Sequence, residues 1–491
     1  MGVIARQSLK GSIYNYLGAA VAFLNIGLLM PLLFNTNQVG LINILLAMSS
    51  LIAQFSTLGV NYVNIRLFPY FRTKDKTHHG FMRLLLMFAL AGLAISMTAY
   101  FIFKTQIINN NQESSPLLAE NVGYLIPLII ASLTYLVLDG YFRSIYKAST
   151  AMFFKEFFMR ILILAGLMMY YFGWIDFKMF LNYYMIAFLS PSILMISYLF
   201  YIGEFKLKGS FEGLPPGIWR LVASVAFFGM ISGFTNIAIM NMDKYFVNHF
   251  LDLSSTGIYA ISFYFGMMIL IPGKAMRRIS ATFLSEGLRN NDLNKVKLVY
   301  QKTNLNMFLS GIIIFVFLWA NIGNILRILP EEYAAGKWVI FIIGMAFLMS
   351  MVSGLSNQII LYSNAYRVHA FSMLGLLVIL ILSNLIFIPM FGLIGAALAT
   401  LLTYSVDTIF KWAYVWYKFK IQPFQRKHLF SLAIALAIYS ITVLIPELPL
   451  IPDILLRCLI ITIAFVMSLR YFNLSEDISA FIDMILNKIR R

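Results

Sequence analysis

The stretch Leu270-Ile271-Pro272-Gly273-Lys274-Ala275-Met276-Arg277-Arg278 closes an apolar run that opens at Gly257. Lys274, Arg277 and Arg278 fall within about one and a half turns of a helix with about 3.6 residues per turn. An apolar segment ending in a basic cluster reads first as a membrane span whose cations reach the cytoplasmic interface. Its second reading is chemical: cations at the rim of a low-dielectric cavity attract phosphate more strongly than they do in bulk water.

The rest of the chain supports the membrane setting. It has 491 residues, 60% hydrophobic and 12% charged, with a mean hydropathy of +0.82, which places it among integral membrane proteins. A helical span needs about 20 apolar residues, so spans account for nearly the whole length. The single cysteine, Cys458, excludes an intramolecular disulfide, and His78, His79, His249, His369 and His428 show no metal-ligand spacing. No cofactor or metal is expected. Arg6 and Lys10 precede an apolar run from Gly11 to Phe34, too long for a signal peptide's apolar core and read as the first span.

Apolar runs bounded by charge or turn residues predict spans at 12–34, 40–63, 81–103, 121–141, 158–173 and 180–203, then at 219–241, 256–273, 304–326, 336–361, 370–389 and 393–415, and finally at 429–446 and 453–472. With the N-terminus inside, cytoplasmic segments hold 31 of the 37 basic residues; the outer loops hold Lys104, Lys178, Lys244, Arg327, Lys337 and Arg457. This asymmetry predicts that both termini are cytoplasmic. The net charge of +17 is then a sign of topology, and no nucleic-acid module accompanies it.

A repeat is visible. Val39-Gly40-Leu41-Ile42 opens span two as Thr256-Gly257-Ile258-Tyr259 opens span eight, and Phe172-Gly173-Trp174-Ile175 precedes span six as Phe391-Gly392-Leu393-Ile394 precedes span twelve. Six spans separate the copies, so both copies run in the same direction, with a pseudo-two-fold axis along the membrane normal and a cavity between halves. The predicted organisation is an all-α polytopic membrane protein with an N-lobe at 1–205, a cytoplasmic linker at 206–218, a C-lobe at 219–427, two further spans within 428–472 and a tail at 473–491. Residues 104–120 are expected to be the longest outer loop, and 285–302 a surface helix between spans eight and nine. In the tail, Ser475 is placed to cap an amphipathic helix carrying Ile478, Phe481, Ile482, Ile485 and Ile489.

Catalytic motifs are missing. Ala275 follows Gly273-Lys274, and Met268 stands where a Walker A sequence has its first glycine. There is no H-E-x-x-H, Asp-x-Asp or G-x-S-x-G, so the chain reads as a non-enzyme. What remains is charge at span ends. Arg66 lies just inside span two, Arg143 follows span four, and Lys274, Arg277 and Arg278 follow span eight; together they form a candidate anion site, with Arg66 and the span-eight cluster on repeat-equivalent helices. Asp139, Asp407, Asp243 and Lys244 are candidate gate or coupling residues, although Asp407 has Lys411 four residues on, which an i,i+4 pair explains. Asn25, Asn61, Asn236, Asn241, Asn357, Gln358 and Asn384 suit interhelical hydrogen bonds or sugar hydroxyls.

Taken with Ile388-Pro389-Met390-Phe391-Gly392-Leu393-Ile394-Gly395-Ala396-Ala397-Leu398-Ala399-Thr400, the pattern resembles the polysaccharide flippases of the multidrug/oligosaccharidyl-lipid/polysaccharide exporter superfamily. Asp243-Lys244-Tyr245 with Thr256-Gly257-Ile258-Tyr259 resembles that family's Asp-Arg and Gly-x-Tyr pattern, with lysine for arginine, and Glu332-Tyr333 fits as well. The resemblance implies fourteen spans in the bacterial inner membrane and alternating-access transfer of undecaprenyl-diphosphate-linked oligosaccharide, such as O-antigen units, to the outer leaflet. Arg66, Lys274, Arg277, Arg278 and Arg143 would then hold the diphosphate. Lipid-linked sugar, membrane lipid and other polysaccharide-assembly proteins are the implied partners. A cation-coupled multidrug antiporter is the alternative within the superfamily. A membrane-embedded polymerase or ligase is the alternative outside it, and would need a long outer loop with basic catalytic residues, which the chain lacks.

Overall fold

A computed structural model describes residues 14–363 and 365–479. Among the described residues fourteen long helical segments run in chain order, with shorter helices at Ile322–Ile328 and Ser356–Tyr362 between them: α1 (Tyr14–Leu33), α2 (Thr36–Phe71), α3 (His78–Asn111), α4 (Pro116–Ser144), α5 (148–171), α6 (Phe177–Tyr201), α7 (Ile218–Phe250), α8 (Leu253–Arg289), α9 (Leu293–Ala320), α10 (Glu331–Ser353), α11 (Phe371–Phe391), α12 (Leu393–Phe419), α13 (Arg426–Val443) and α14 (Leu450–Tyr471). All but α5 are long and apolar enough to cross a bilayer. Among the described residues there is no strand. In hydrocarbon only helices and closed barrels satisfy every backbone group.

Three expected boundaries change. The apolar run at 158–173 is the second half of α5, which begins ten residues earlier and carries Lys155, Glu156 and Arg160 within its turns. The outer loop expected at 104–120 is mostly helix, because α3 continues to Asn111 and Pro116, in the first turn of its helix, starts α4. Pro116 has no amide to leave unpaired there. The cluster at 270–278 does not end a helix. Pro272 sits at the start of the segment Ile271–Arg289, where it breaks no hydrogen bond, and α8 runs on past Arg278. The surface helix expected at 285–302 is therefore the joined ends of α8 and α9, turning at Asn290–Asp292.

The chain divides into two compact units, Met1–Ile261 and Ser262–Arg491. In the first, α2 and the start of α8 cross where neither has a side chain. A Cβ on Gly40 would lie 1.9 Å from the Leu253 carbonyl oxygen, and one on Gly257 would lie 2.1 Å from that of Thr36. The contact is reciprocal at the repeat offset of 217 residues, as a local two-fold axis requires. The Thr36 and Ser254 hydroxyls share a hydrogen bond of 2.7 Å beside it. Gly40→Ala or Gly257→Ala is expected to cost about 1–3 kcal/mol, the usual range for overpacking. Thermal unfolding in detergent measures this, and an unchanged midpoint in both variants would mean the crossing is loose.

The linker after α6 is fixed to the same unit. His78 Nδ1 accepts from the Thr73 amide at 3.1 Å, leaving Nε2 to donate to Glu204 at 3.0 Å. Tyr141 donates to the same carboxylate at 3.1 Å. Lys76 donates to the Ile202 carbonyl at 2.7 Å and Lys206 to that of Asp75 at 2.8 Å. Hydrogen bonds from Thr73 and Thr77 hold the Asp75 carboxyl down at about 2.

In the second unit α13 and α14 pack on α9 through Ala435, Ile438, Ile461, Phe465 and Leu469 against Leu305, Phe308, Leu309 and Ile312. Ser475 accepts from the Ile478 amide at 3.2 Å, as a helix cap does. Phe481, Ile482, Ile485 and Ile489 of the expected tail helix, and Arg6 and Lys10 before α1, lie outside the described residues.

Candidate functional site

Arg66 owes its position to a break in α2. Leu58 and Gly59 have φ of 49° and 75°, so the helix restarts at Val60 with a new register. Asn64 then faces α4, donating to the Val137 carbonyl at 2.9 Å and accepting from Ser144 through its own carbonyl at 2.8 Å. Arg66 lies on another side and is exposed. It follows Tyr62 by one turn, and Tyr62 packs on Gly229 of α7. The Arg143 guanidinium lies within electrostatic reach of Tyr62. Arg143 pairs with Asp139 at 2.5 Å; its side chain is 57% exposed and that of Asp139 is 11% exposed. Asp139 is thus held by a cation four residues on.

Beside this pair the structure adds residues that the sequence reading passed over. Residues Phe153–Phe158 of α5 form a π-helical turn, a local widening that recurs at functional positions. Lys155, on that turn, stands 3.8 Å from the centre of the Tyr135 ring and 5.7 Å from that of Phe188, an arrangement that attracts a cation to the aromatic faces. It lies within electrostatic reach of Asp139 and Glu156. Glu156 also pairs with Arg160, and the Arg160 carbonyl accepts from Asn25 of α1 at 2.8 Å. Arg143, Lys155 and Arg160 outnumber Asp139 and Glu156, so the cluster carries a positive surplus. The charges sit among four phenylalanines, Phe153-Phe154 and Phe157-Phe158; that flanking was the available signal.

At the end of α7, Asp243 is buried and accepts from the Tyr259 hydroxyl at 2.9 Å. This bond joins the Asp-Lys and Gly-x-Tyr segments, tying α7 to α8, with Lys244 next to it in sequence.

In the second unit Lys274 and Arg278 are exposed, whereas Arg277 is partly buried. Its guanidinium folds back along its own helix, and a Cβ on Gly273 would lie 3.2 Å from Nη2. The Tyr404 phenol is near enough to interact with it electrostatically. Among the described residues no carboxylate comes within ion-pair distance of Arg277. Asp407, by contrast, is paired with Lys411 at 2.7 Å, and the Lys411 side chain is 6% exposed. His369 is buried within electrostatic reach of Lys411.

The amide side chains are used more locally than expected. Asn25 bonds across helices, as does Asn236 with Tyr62 of α2; Asn236, Asn241 and Asn384 also donate to carbonyls four residues back in their own helices, Ser232, Ile237 and Leu380. The Asn61 carbonyl oxygen accepts from the Tyr62 amide next to it at 3.1 Å. Asn357 and Gln358 each keep a buried side-chain oxygen with no hydrogen-bond partner among the described residues. Among the described residues no three His, Cys, Asp or Glu side chains converge to hold a metal ion.

No family model and no curated protein sequence matches the chain. Solved structures do. The lipid II flippase MurJ in an inward closed conformation superposes with a TM-score of 0.66 at 16% identity, over 89% of this chain and 97% of that one. An inward-facing multidrug resistance MATE family transporter of the MOP superfamily gives 0.61 at 11% identity, over 86% and 98%. A MOP superfamily transporter from Pyrococcus furiosus, described as having a binding pocket of reversed polarity, gives 0.57 at 14% identity, over 84% and 95%. The chain thus has the fold of MOP superfamily transporters and is a multi-pass membrane protein.

Proposed function

We propose that this protein transfers undecaprenyl-diphosphate-linked oligosaccharide from the inner to the outer leaflet of a bacterial inner membrane by alternating access. In this reading α5 is a fourteenth span, both termini are cytoplasmic, and the two six-span lobes are related by a pseudo-two-fold axis. The observation that carries it is Arg277, a partly buried guanidinium in a membrane helix with no carboxylate among the described residues to neutralise it. An uncompensated charge in that setting costs several kcal/mol, and an anionic ligand removes that cost. Arg66 of α2 and Lys274 and Arg278 of α8 add positive charge, and the surplus around Lys155 and Arg143 has the same sign.

Energetics agree. A diphosphate cannot cross about 30 Å of hydrocarbon unaided. Outward movement of negative charge is favoured by about 2.3 kcal/mol per charge per 100 mV, so the membrane potential alone supplies a driving force. The name of one structural neighbour, a lipid II flippase, fits a substrate of this chemistry. Asp139 and Asp407, the coupling candidates an antiporter would use, are each already held by a base four residues on.

Reconstituted vesicles test the reading. Wild-type protein is expected to expose a short-chain polyprenyl-diphosphate oligosaccharide to an external glycosidase at least about tenfold faster than protein-free vesicles. Arg66→Ala is expected to slow this about tenfold, the worth of one charge-assisted hydrogen bond. Ethidium should not be moved against a proton or sodium gradient. Ethidium transport with no oligosaccharide transfer would replace this reading with the antiporter.

A further inference from the structure

A second site of different chemistry lies at the other end of the first unit. A cleft of about 420 Å³ opens among α2, α3, α4 and α7, within the range of pockets that hold small ligands. Its polar wall consists of two facing pairs. Gln106 and Asn110 stand one turn apart on α3, both exposed, and their amides make no hydrogen bond among the described residues. Tyr245 and His249 stand one turn apart on α7 with ring planes within 1° of parallel and centroids 6.3 Å apart. The floor is already saturated: Asn248 donates to Asn111 at 2.7 Å and accepts from Ser115 at 3.0 Å. The wall is therefore held in place without using Gln106 or Asn110.

The lining contains no carboxylate, lysine or arginine, and His249 is its one titratable side chain besides tyrosines. Such a cleft has nothing to neutralise a phosphate. It offers amides, each with paired donor and acceptor, beside flat aromatic faces and an apolar back of Met48, Ile52 and Leu125. Hydroxyl groups alternating with C–H faces are what that combination fits, because each hydroxyl needs one donor and one acceptor and each ring covers an apolar patch. We infer that this cleft binds the saccharide head of an amphiphile at the outer end of α3 and α7. The inference rests on the flippase reading and divides the substrate chemically, with diphosphate held by the cations of the inner ends and sugar received by the uncharged cleft of the outer ends.

The test uses the full chain in lipid nanodiscs with decyl maltoside carrying a diazirine on its distal glucose. Photolabel is expected in peptides containing Gln106 to Asn110 and Tyr245 to His249. Excess decyl maltoside should compete it away, and decylphosphocholine of equal chain length should not. Gln106→Ala and Asn110→Ala, both surface changes, are each expected to weaken labelling about fivefold to tenfold, the worth of one net hydrogen bond. Equal competition by decylphosphocholine, labelling elsewhere, or unaltered labelling in both variants would overturn the inference. Vesicle transfer is read separately: label without transfer removes the flippase reading and keeps the sugar site, and transfer without label removes the sugar site alone.

Discussion

Arg277→Ala is expected to lower transfer of the diphosphate lipid about tenfold to a hundredfold while leaving the folded protein as stable as before, or more so. The two signs come from one fact. A guanidinium that is partly buried with no carboxylate partner is a burden on the unliganded protein, so its removal relieves a desolvation cost. The same cation hydrogen-bonded to a phosphate is worth about 1.5–3 kcal/mol net, so its removal weakens the loaded state. Arg277→Lys keeps a point charge without the bidentate fork and should recover part of the rate. Gly273→Ala should mimic the loss in milder form, since its Cβ would meet Met351 Sδ at 2.5 Å and Nη2 at 3.2 Å. Transfer rates and unfolding midpoints measured on the same preparations check this. Stability falling in step with transfer would make Arg277 a structural residue.

Sequence spacing carries much of the distinction between paired and unpaired charge. Asp139 with Arg143, Glu156 with Arg160, Asp407 with Lys411 and Asp453 with Arg457 are all acid-to-base steps of four residues, and all four are ion pairs. An acid one turn N-terminal to a base is the favoured orientation on a helix. Only the third pair was recognised as such from the sequence. Arg66, Lys155, Lys274, Arg277 and Arg278 have Tyr62, Ala151, Leu270, Gly273 and Lys274 at that position, so none of them has an acid one turn before it on its own helix.

Span type was legible, and thirteen helices are long and apolar enough to cross, because a bilayer imposes one length and one polarity on every crossing. The ends were not legible where helices outrun the membrane. About 55 Å of α8, at about 1.5 Å per residue, exceeds any hydrocarbon thickness, and charge no longer marks its terminus. The π turn in α5 was illegible for another reason: it depends on how Phe153–Phe158 pack, and no residue type specifies it. Gly40 and Gly257 were visible as a weak repeat, yet their meaning is a contact between them that only the fold supplies.

Asp453→Ala is expected to destabilise the protein by about 3–5 kcal/mol, the cost of stranding a buried cation. Asp453 and Arg457 have side chains 4% and 11% exposed and meet at 2.8 Å. Asp453 also accepts from Asn324 at 2.5 Å. Arg457 in turn donates to the carbonyls of Thr442 at 2.7 Å and Ile445 at 3.2 Å, at and just past the end of α13; Thr442 also accepts from the Ile445 amide at 3.3 Å. One ion pair thus ties α13, α14 and the segment after α9. Replacing both residues, as in Asp453→Leu with Arg457→Met, should recover most of the loss, because two apolar side chains leave no buried charge. About 1 kcal/mol for the lost bond to the Ile445 carbonyl should remain. In the proposed two-lobe organisation α13 and α14 lie outside the repeat, so the single variant should reduce the amount of folded protein in the membrane and leave the transfer rate per folded molecule within about twofold. Denaturant titration of single and double variants reads the first quantity, and vesicle assays normalised to folded protein read the second. A loss below about 1 kcal/mol in Asp453→Ala would mean that water or lipid headgroups already solvate Arg457, and that the pair does not fasten these helices.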